Sequence, residues 1–338
     1  MKNLRIAIVF VVIPLVSILL VGCTGSSNAT TPSPEPMDLT PTVAPTATDV
    51  PLDQFLLVAP ADQRGMDVAS LGAYLEARAQ EYGATFQWIQ EYIEPNANPS
   101  YAFLLLIDQA EQAETWSRLN PDARILAIPG LQGELPDNIS VLGADPLELE
   151  KLSFLAGYAA AVLAPDWRIA IIADSTTDTG GIMGTAFQQG AQFYCGLCRP
   201  ERPPYEEYPL HIGLIPGDEA SWGRVLDLLT GAAVDIVYLH PGILTPEQTA
   251  DLLNRGILLI GADVNGNDAG HVMDMYFDPA RFLETNWDSV SDASLQGGFF
   301  NLPITISVWD DEAVSTGRLD SILELRDALE EGYIGIGP

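Results

Sequence analysis

From Leu52 to its end, the chain alternates short apolar runs with amphipathic segments. Phe55-Leu56-Leu57-Val58 predicts a buried strand. Asp67 follows where a helix cap belongs, ahead of Val68, Leu71, Leu75, Ala79 and Tyr82 on one helical face. Phe86–Ile89 and Ala102–Ile107 predict two more strands. The second of these is almost wholly apolar, as expected of a parallel sheet covered on both faces. A strand at Ile125–Ile128 follows a short helix, and Leu147–Leu163 predicts a helix. That helix is apolar nearly all round at Phe154–Ala160, so it belongs in a core. The alternation restarts at Arg168, with strands at Ile169–Ala173, His211–Ile215, Ile236–Leu239 and Ile257–Ile260. Helices at Ile182–Tyr194, Ser221–Leu229 and Pro246–Asn254 separate them. The tail predicts a helix at Pro279–Val290, a strand near Ile304–Trp309 and a helix at Leu319–Glu331. Repeated strand–helix units imply parallel sheets with right-handed crossovers, and two blocks of them imply an α/β protein of two Rossmann-like lobes.

The first 51 residues follow different rules. Lys2 and Arg5 precede an apolar run from Ile6 to Val21, the pattern of a secretory signal. The run is shorter than the roughly 20 residues needed to span a bilayer. Its ending, Leu20-Val21-Gly22-Cys23, resembles the bacterial lipobox, which implies a signal peptide over 1–22 and lipidation of Cys23. Two or more acyl chains anchor a protein stably where one is marginal. Residues 24–51 are rich in Thr, Pro, Ser and Ala, and cannot bury enough surface to offset ordering entropy. They read as a disordered stalk between the lipidated Cys23 and the folded part. The expected location is the extracytoplasmic face of the cell membrane.

Charge and cysteines narrow the picture. The formal net charge is -31, from 46 acidic against 15 basic residues. Nucleic acid is excluded as a partner, because neutralising phosphates takes Lys and Arg. Beyond Cys23 the only cysteines are Cys195 and Cys198. Outside the cytoplasm such a pair reads as a small structural disulfide, with redox chemistry and metal ligation as the alternatives. Metal ligation lacks a second Cys pair, and the whole chain has three His. No nucleophile elbow, phosphate loop or His-Glu-x-x-His motif is present, so the chain reads as a binding protein, not an enzyme, with no cofactor or metal. Thr179-Gly180-Gly181 ahead of a helix reads as a turn before it reads as an anion site. Asp62 and Asp67 follow the first strand, where α/β sheets bind ligands. His240-Pro241-Gly242 follows the strand Ile236–Leu239 and would face the same cleft. Trp222, Trp287 and Trp309 read as packing residues.

Leu152-Ser153-Phe154-Leu155-Ala156-Gly157-Tyr158-Ala159-Ala160 resembles a helix of the basic membrane lipoprotein family. These are nucleoside-binding lipoproteins related to the substrate-binding parts of ABC importers. Ala186-Phe187-Gln188-Gln189-Gly190-Ala191, Val234–Tyr238 and Gly256–Asp263 are similar to its next motifs, in the same order. The resemblance implies a type I periplasmic-binding fold with a ligand between two lobes. The segment Asp62-Gln63-Arg64-Gly65-Met66-Asp67 matches the family's loop after the first strand. Met66 stands where the family has an aromatic residue for the nucleobase, and Asp67 where it has Asn. Asp263 matches the acidic residue that grips ribose hydroxyls through charge-assisted bonds. The family's next lysine has no counterpart in His271–Phe277.

These readings assemble into a solute-binding protein with lobe one at 52–164 and 264–294 and lobe two at 165–263 and 295–338. The implied ligand is a nucleoside or sugar-like molecule held by Asp62, Gln63, Met66, Asp67, His240 and Asp263. The implied partner is an ABC permease, in a membrane that the chain reaches through its lipid anchor. The alternatives are a surface ligand sensor of the same fold and a redox lipoprotein using Cys195 and Cys198.

Overall fold

The computed structural model describes residues 54–60, 63, 65–98, 101–128, 135–143, 148–261, 271–291 and 299–336. The signal, Cys23 and the stalk lie outside them. The first block comprises β1 (Gln54–Val58), α1 (Val68–Glu81), β2 (Thr85–Ile89), β3 (Tyr101–Ile107), α2 (Ala113–Leu119), β4 (Arg124–Ile128) and β5 (Ile139–Leu142). The second comprises α3 (Leu149–Leu163), β6 (Ile169–Asp174), α4 (Asp178–Cys195), β7 (Leu210–Leu214), α5 (Glu219–Gly231), β8 (Ile236–Leu239), α6 (Pro246–Asn254) and β9 (Leu258–Gly261). The tail adds β10 (His271–Phe277), α7 (Pro279–Ser291), β11 (Phe299–Phe300), β12 (Ile304–Val308) and α8 (Thr316–Glu330).

Two six-stranded sheets result, ordered β11-β5-β4-β3-β1-β2 and β12-β10-β9-β8-β6-β7. Every pairing is parallel except β10 with β12. Strands inside the sheets, such as β6 and β8, are buried at every position because helices cover both faces. The edge strand β7 alternates buried and exposed residues instead. The α/β class with two Rossmann-like sheets is therefore as the alternation implied.

The packing of α3 on α4 shows why certain glycines recur. A Cβ at Gly157 would collide with the carbonyl oxygen of Phe187, and one at Gly190 with that of Phe154. The two backbones touch directly, which only glycine permits.

The expected lobe boundaries are corrected at α3 and at the tail. Helix α3, expected in lobe one within 52–164, packs on α4 of the second lobe. The segment 264–294 is expected in lobe one, yet its strand β10 lies in the second sheet, between β9 and β12. Its helix α7 does lie on the first lobe. There Tyr74 Oη donates to the Leu283 carbonyl at 3.1 Å, and Trp287 Nε1 donates to Tyr82 Oη at 3.0 Å. The tail, assigned wholly to lobe two, returns β11 to the first sheet before β12 rejoins the second. In the second sheet the buried row of β10 has a neighbour on each side, β9 and β12. The crossings run side by side, for Asp278 N donates to the Pro303 carbonyl at 2.9 Å and Thr305 Oγ1 to Asp278 Oδ2 at 2.8 Å.

Candidate functional site

In each sheet the chain reverses its direction of growth at one point, between β1 and β3 and between β6 and β8. Open α/β sheets bind ligands outside the strand C-termini at such points, because the loops there diverge and leave a crevice. Residues following β1, β3, β6 and β8 are therefore the candidates.

On the first lobe these are Gln63 and Asp108. Asp108 ends β3 with φ of 57°, and its backbone N–H donates to the Ile128 carbonyl at 2.9 Å. Left-handed backbone at a non-glycine residue is uncommon and tends to mark a functional loop. The Asp108 carboxyl keeps solvent access, yet its pKa is raised. Loss of surrounding water is the main cause, the hydrogen bond from the Gln63 amide opposes it, and the charge of Glu111 adds to it. Beside Asp108, Gln109 is buried, and its Oε1 has no partner. Periodicity missed both residues, because a polar pair after a strand looks like any loop. The position after β3 at a reversal of sheet order was the available signal.

On the second lobe, Asp174 ends β6 and is buried. Its Oδ1 accepts from Thr176 N at 2.8 Å and from Thr176 Oγ1 at 2.5 Å, shaping the turn into α4. Thr177 Oγ1 then accepts from Gly180 N at 3.2 Å as the helix cap. Thr179-Gly180-Gly181 thus lies inside α4, with Gly180 N already paired. His240 follows β8, and its Nδ1 donates to the Pro241 carbonyl at 3.0 Å. That bond makes Nε2 the accepting nitrogen of the neutral ring.

The two lobes meet beside these residues. A Cβ at Gly65 would stand 3.6 Å from Pro241 Cγ and 3.5 Å from Leu149 Cδ2. Phe277 N donates to the Gly65 carbonyl at 2.9 Å, and Asp67 N donates to the Phe277 carbonyl at 3.2 Å. The loop after β1 is thereby laced to the end of β10.

This lacing relocates two expected site residues. Met66 is 3% exposed, bridges Phe277 and packs into the core. Asp67 caps α1, its Oδ1 accepting from Ser70 N at 2.9 Å. Both make structural contacts in this conformation. Gln63 lies in the loop after β1 and His240 directly after β8. Asp62 and Asp263 lie outside the described residues. Close to Asp263 in sequence, Gly261 leaves room for the fully buried Asp274 carboxylate, where a Cβ would collide. Asp274 Oδ2 accepts from Trp309 Nε1 at 2.6 Å, and Oδ1 is 3.4 Å from His271 Nδ1. Trp309 is thus hydrogen-bonded to the sheet. Trp222 donates to Asp251 Oδ2 at 2.9 Å, and Trp287 packs between Phe55 and Phe103. Cys195 and Cys198 are bonded through their sulfurs, with Cα atoms 5.0 Å apart, at the far end of α4 from the cleft. Among the described residues no cluster of three or more metal-ligating side chains occurs, and no helix is long and apolar enough to cross a membrane.

No protein-family model matches the sequence, and no curated protein matches it. Solved structures do. One is described as ABC transporter system solute-binding proteins from Aeropyrum pernix K1. It aligns with a TM-score of 0.56 and 14% identity over 85% of this chain and 94% of its own. A transcriptional activator of the comK gene from Bacillus halodurans aligns at 0.57 and 14%, over 84% of this chain and all of its own. A periplasmic ribose ABC transporter protein from Conexibacter woesei aligns at 0.52 and 12%, over 80% and 94%. At such identities the likeness establishes the shared two-lobed fold.

Proposed function

We propose that this chain is a lipid-anchored solute-binding protein on the extracytoplasmic face of the membrane, delivering a hydroxylated small molecule to an ABC permease. The observation that supports the reading is that acceptor-bearing side chains follow the strands at both reversals of sheet order, with Gln63, Asp108 and Gln109 after β1 and β3, and Asp174 and His240 at the ends of β6 and β8. Carboxylates and amide oxygens accept hydrogen bonds from hydroxyls, and such charge-assisted bonds are the stronger ones. A sugar or nucleoside offers those donors. A purely anionic ligand does not suit the site, because Asp108 and Asp174 repel it. The resemblance to the basic membrane lipoprotein family adds Asp62 and Asp263 to the proposed grip, Asp263 matching that family's ribose-binding carboxylate. Ligand shifts an open–closed equilibrium as far as its affinities for the two states differ, and the closed form docks on the permease.

Calorimetry with a panel of sugars and nucleosides tests this. One member is expected to bind, and Asp263→Ala should weaken it at least about tenfold by removing bonds contributing roughly 1.5–3 kcal/mol each. Unchanged affinity in that variant sinks the role of Asp263, and silence across the panel sinks the ligand class.

A second reading, a surface sensor, is favoured by one observation: a transcriptional activator shares the fold. A permease that co-purifies with the ligand-loaded protein separates transport from sensing. The redox reading is disfavoured by position. A helix C-terminus, unlike an N-terminus, does not stabilise a thiolate.

A further inference from the structure

The far end of the second lobe carries a second built surface. The segment from Gly196 to Pro209 has no helix or strand, yet it is held at several points. The Cys195–Cys198 bond closes its start. Arg168 donates to the carbonyls of Arg202 and Pro203 at 2.8 and 3.2 Å, and Asp166 Oδ1 accepts from Glu201 N at 2.6 Å. Tyr208 Oη donates to the Ala232 carbonyl. Between this segment and α4 runs a groove of about 480 Å³, within the size range of ligand-binding clefts. Leu197 and Tyr205 line it, each 70% exposed, while Cys198 and Tyr208 are buried. Gln188 and Gln192, one helical turn apart on α4, face them, and Arg199, Glu206 and Glu207 supply charge.

Large apolar side chains held out on a pinned loop mark contact surfaces, because an unconstrained loop would fold them inward. Charge then selects the occupant. The groove has two carboxylates against one guanidinium, on a chain of net charge -31. A second copy brings the same excess of negative charge and is repelled. The geometry points to this groove as a docking site for an extended basic segment of a partner protein, with an apolar anchor between Leu197 and Tyr205. The basic residues of that segment pair with Glu206 and Glu207. Gln188, Gln192 and Arg199 satisfy its main-chain groups, since an amide offers both donor and acceptor. The site lies at the opposite edge of the sheet from the cleft, so a docked partner leaves ligand access open.

The test uses the folded chain and the synthetic peptide acetyl-Arg-Leu-Leu-Arg-amide, with binding followed by calorimetry at low and high salt. Saturable binding that weakens with salt is expected. The pair Glu206→Lys with Glu207→Lys should weaken it at least about tenfold, and so should Leu197→Ala with Tyr205→Ala. Glu76→Lys with Glu91→Lys, on the other lobe, should leave it unchanged. All these side chains are exposed; if one groove variant fails to fold, the other decides. No saturable binding, equal loss in the control pair, or undiminished binding in the groove variants overturns the proposal. So does peptide-independent dimerisation of the parent chain that the groove variants abolish.

Discussion

Asp108 ties residue chemistry to a measurable behaviour. Its folded pKa is raised by burial, against the Gln63 hydrogen bond. The folded state therefore holds a proton that the unfolded chain has released, across a window starting near the ordinary carboxylate value of about 3.9. The sign follows: this group's contribution to stability is most favourable below that window and falls as pH rises through it. Ligand binding runs the other way, because hydroxyl donors prefer the ionised form. Affinity is expected to drop on acidification at a pH above the ordinary carboxylate range, and Asp108→Asn should flatten that part of the profile. Calorimetric titrations between pH 4 and 7 (roughly the span set by carboxylate and histidine values) check it. An identical profile in Asp108→Asn removes Asp108 from the site.

At the scale of elements, the α3–α4 contact decides how the second lobe is built. Gly190 sits inside a helix, where alanine is ordinarily better by about 1 kcal/mol. Here the added methyl would overlap the Phe154 carbonyl. Overpacking of this kind costs about 1–3 kcal/mol or more, because a backbone atom cannot step aside. Gly190→Ala should therefore lower stability by a net amount on the order of 1 kcal/mol or more. Gly223, inside α5 with open space around it, is the control. Gly223→Ala should be neutral or raise stability by up to about 1 kcal/mol. Urea unfolding of the two variants checks the contrast, and equal shifts would refute the close approach. The same geometry bears on the resemblance. Gly157 and Gly190 lie in the two helix motifs that carry it, and both serve helix-to-helix packing. Those motifs therefore report the fold more than the ligand.

At the scale of the molecule, the chain crossings and the proposed anchor set what can be tested. The chain crosses between lobes before α3, after β10 and after β11, and the loop carrying Gln63 is tied to β10 through Phe277. That loop and the end of β10 are thus held together by backbone hydrogen bonds. The proposed location rests on Cys23. Replacing it with Ser should move the protein from the membrane fraction to the soluble fraction or stall its processing, because the acyl chains that would hold it are gone. Labelled palmitate entering the Ser variant as it enters the parent would refute lipidation at this residue.

The apolar periodicity by itself determined the class and most elements. Strands buried on both faces and one-sided helices can be read one residue at a time, since burial leaves its mark on every position. Thus β1, β3, β6 and β8 stand where their apolar runs stand. Only the tertiary structure decided which sheet each tail strand joins. β10 is a row of buried residues that either sheet could accept, and β11 has two residues and no period to read. The same holds for the site. Asp67 reads as a ligand residue but caps α1, and Met66 bridges Phe277 and packs into the core. Asp108 and Gln109 look like loop residues but stand at the reversal of sheet order. A side chain's role there depends on what faces it across the cleft, and that neighbour is brought in by chain crossings far away in sequence.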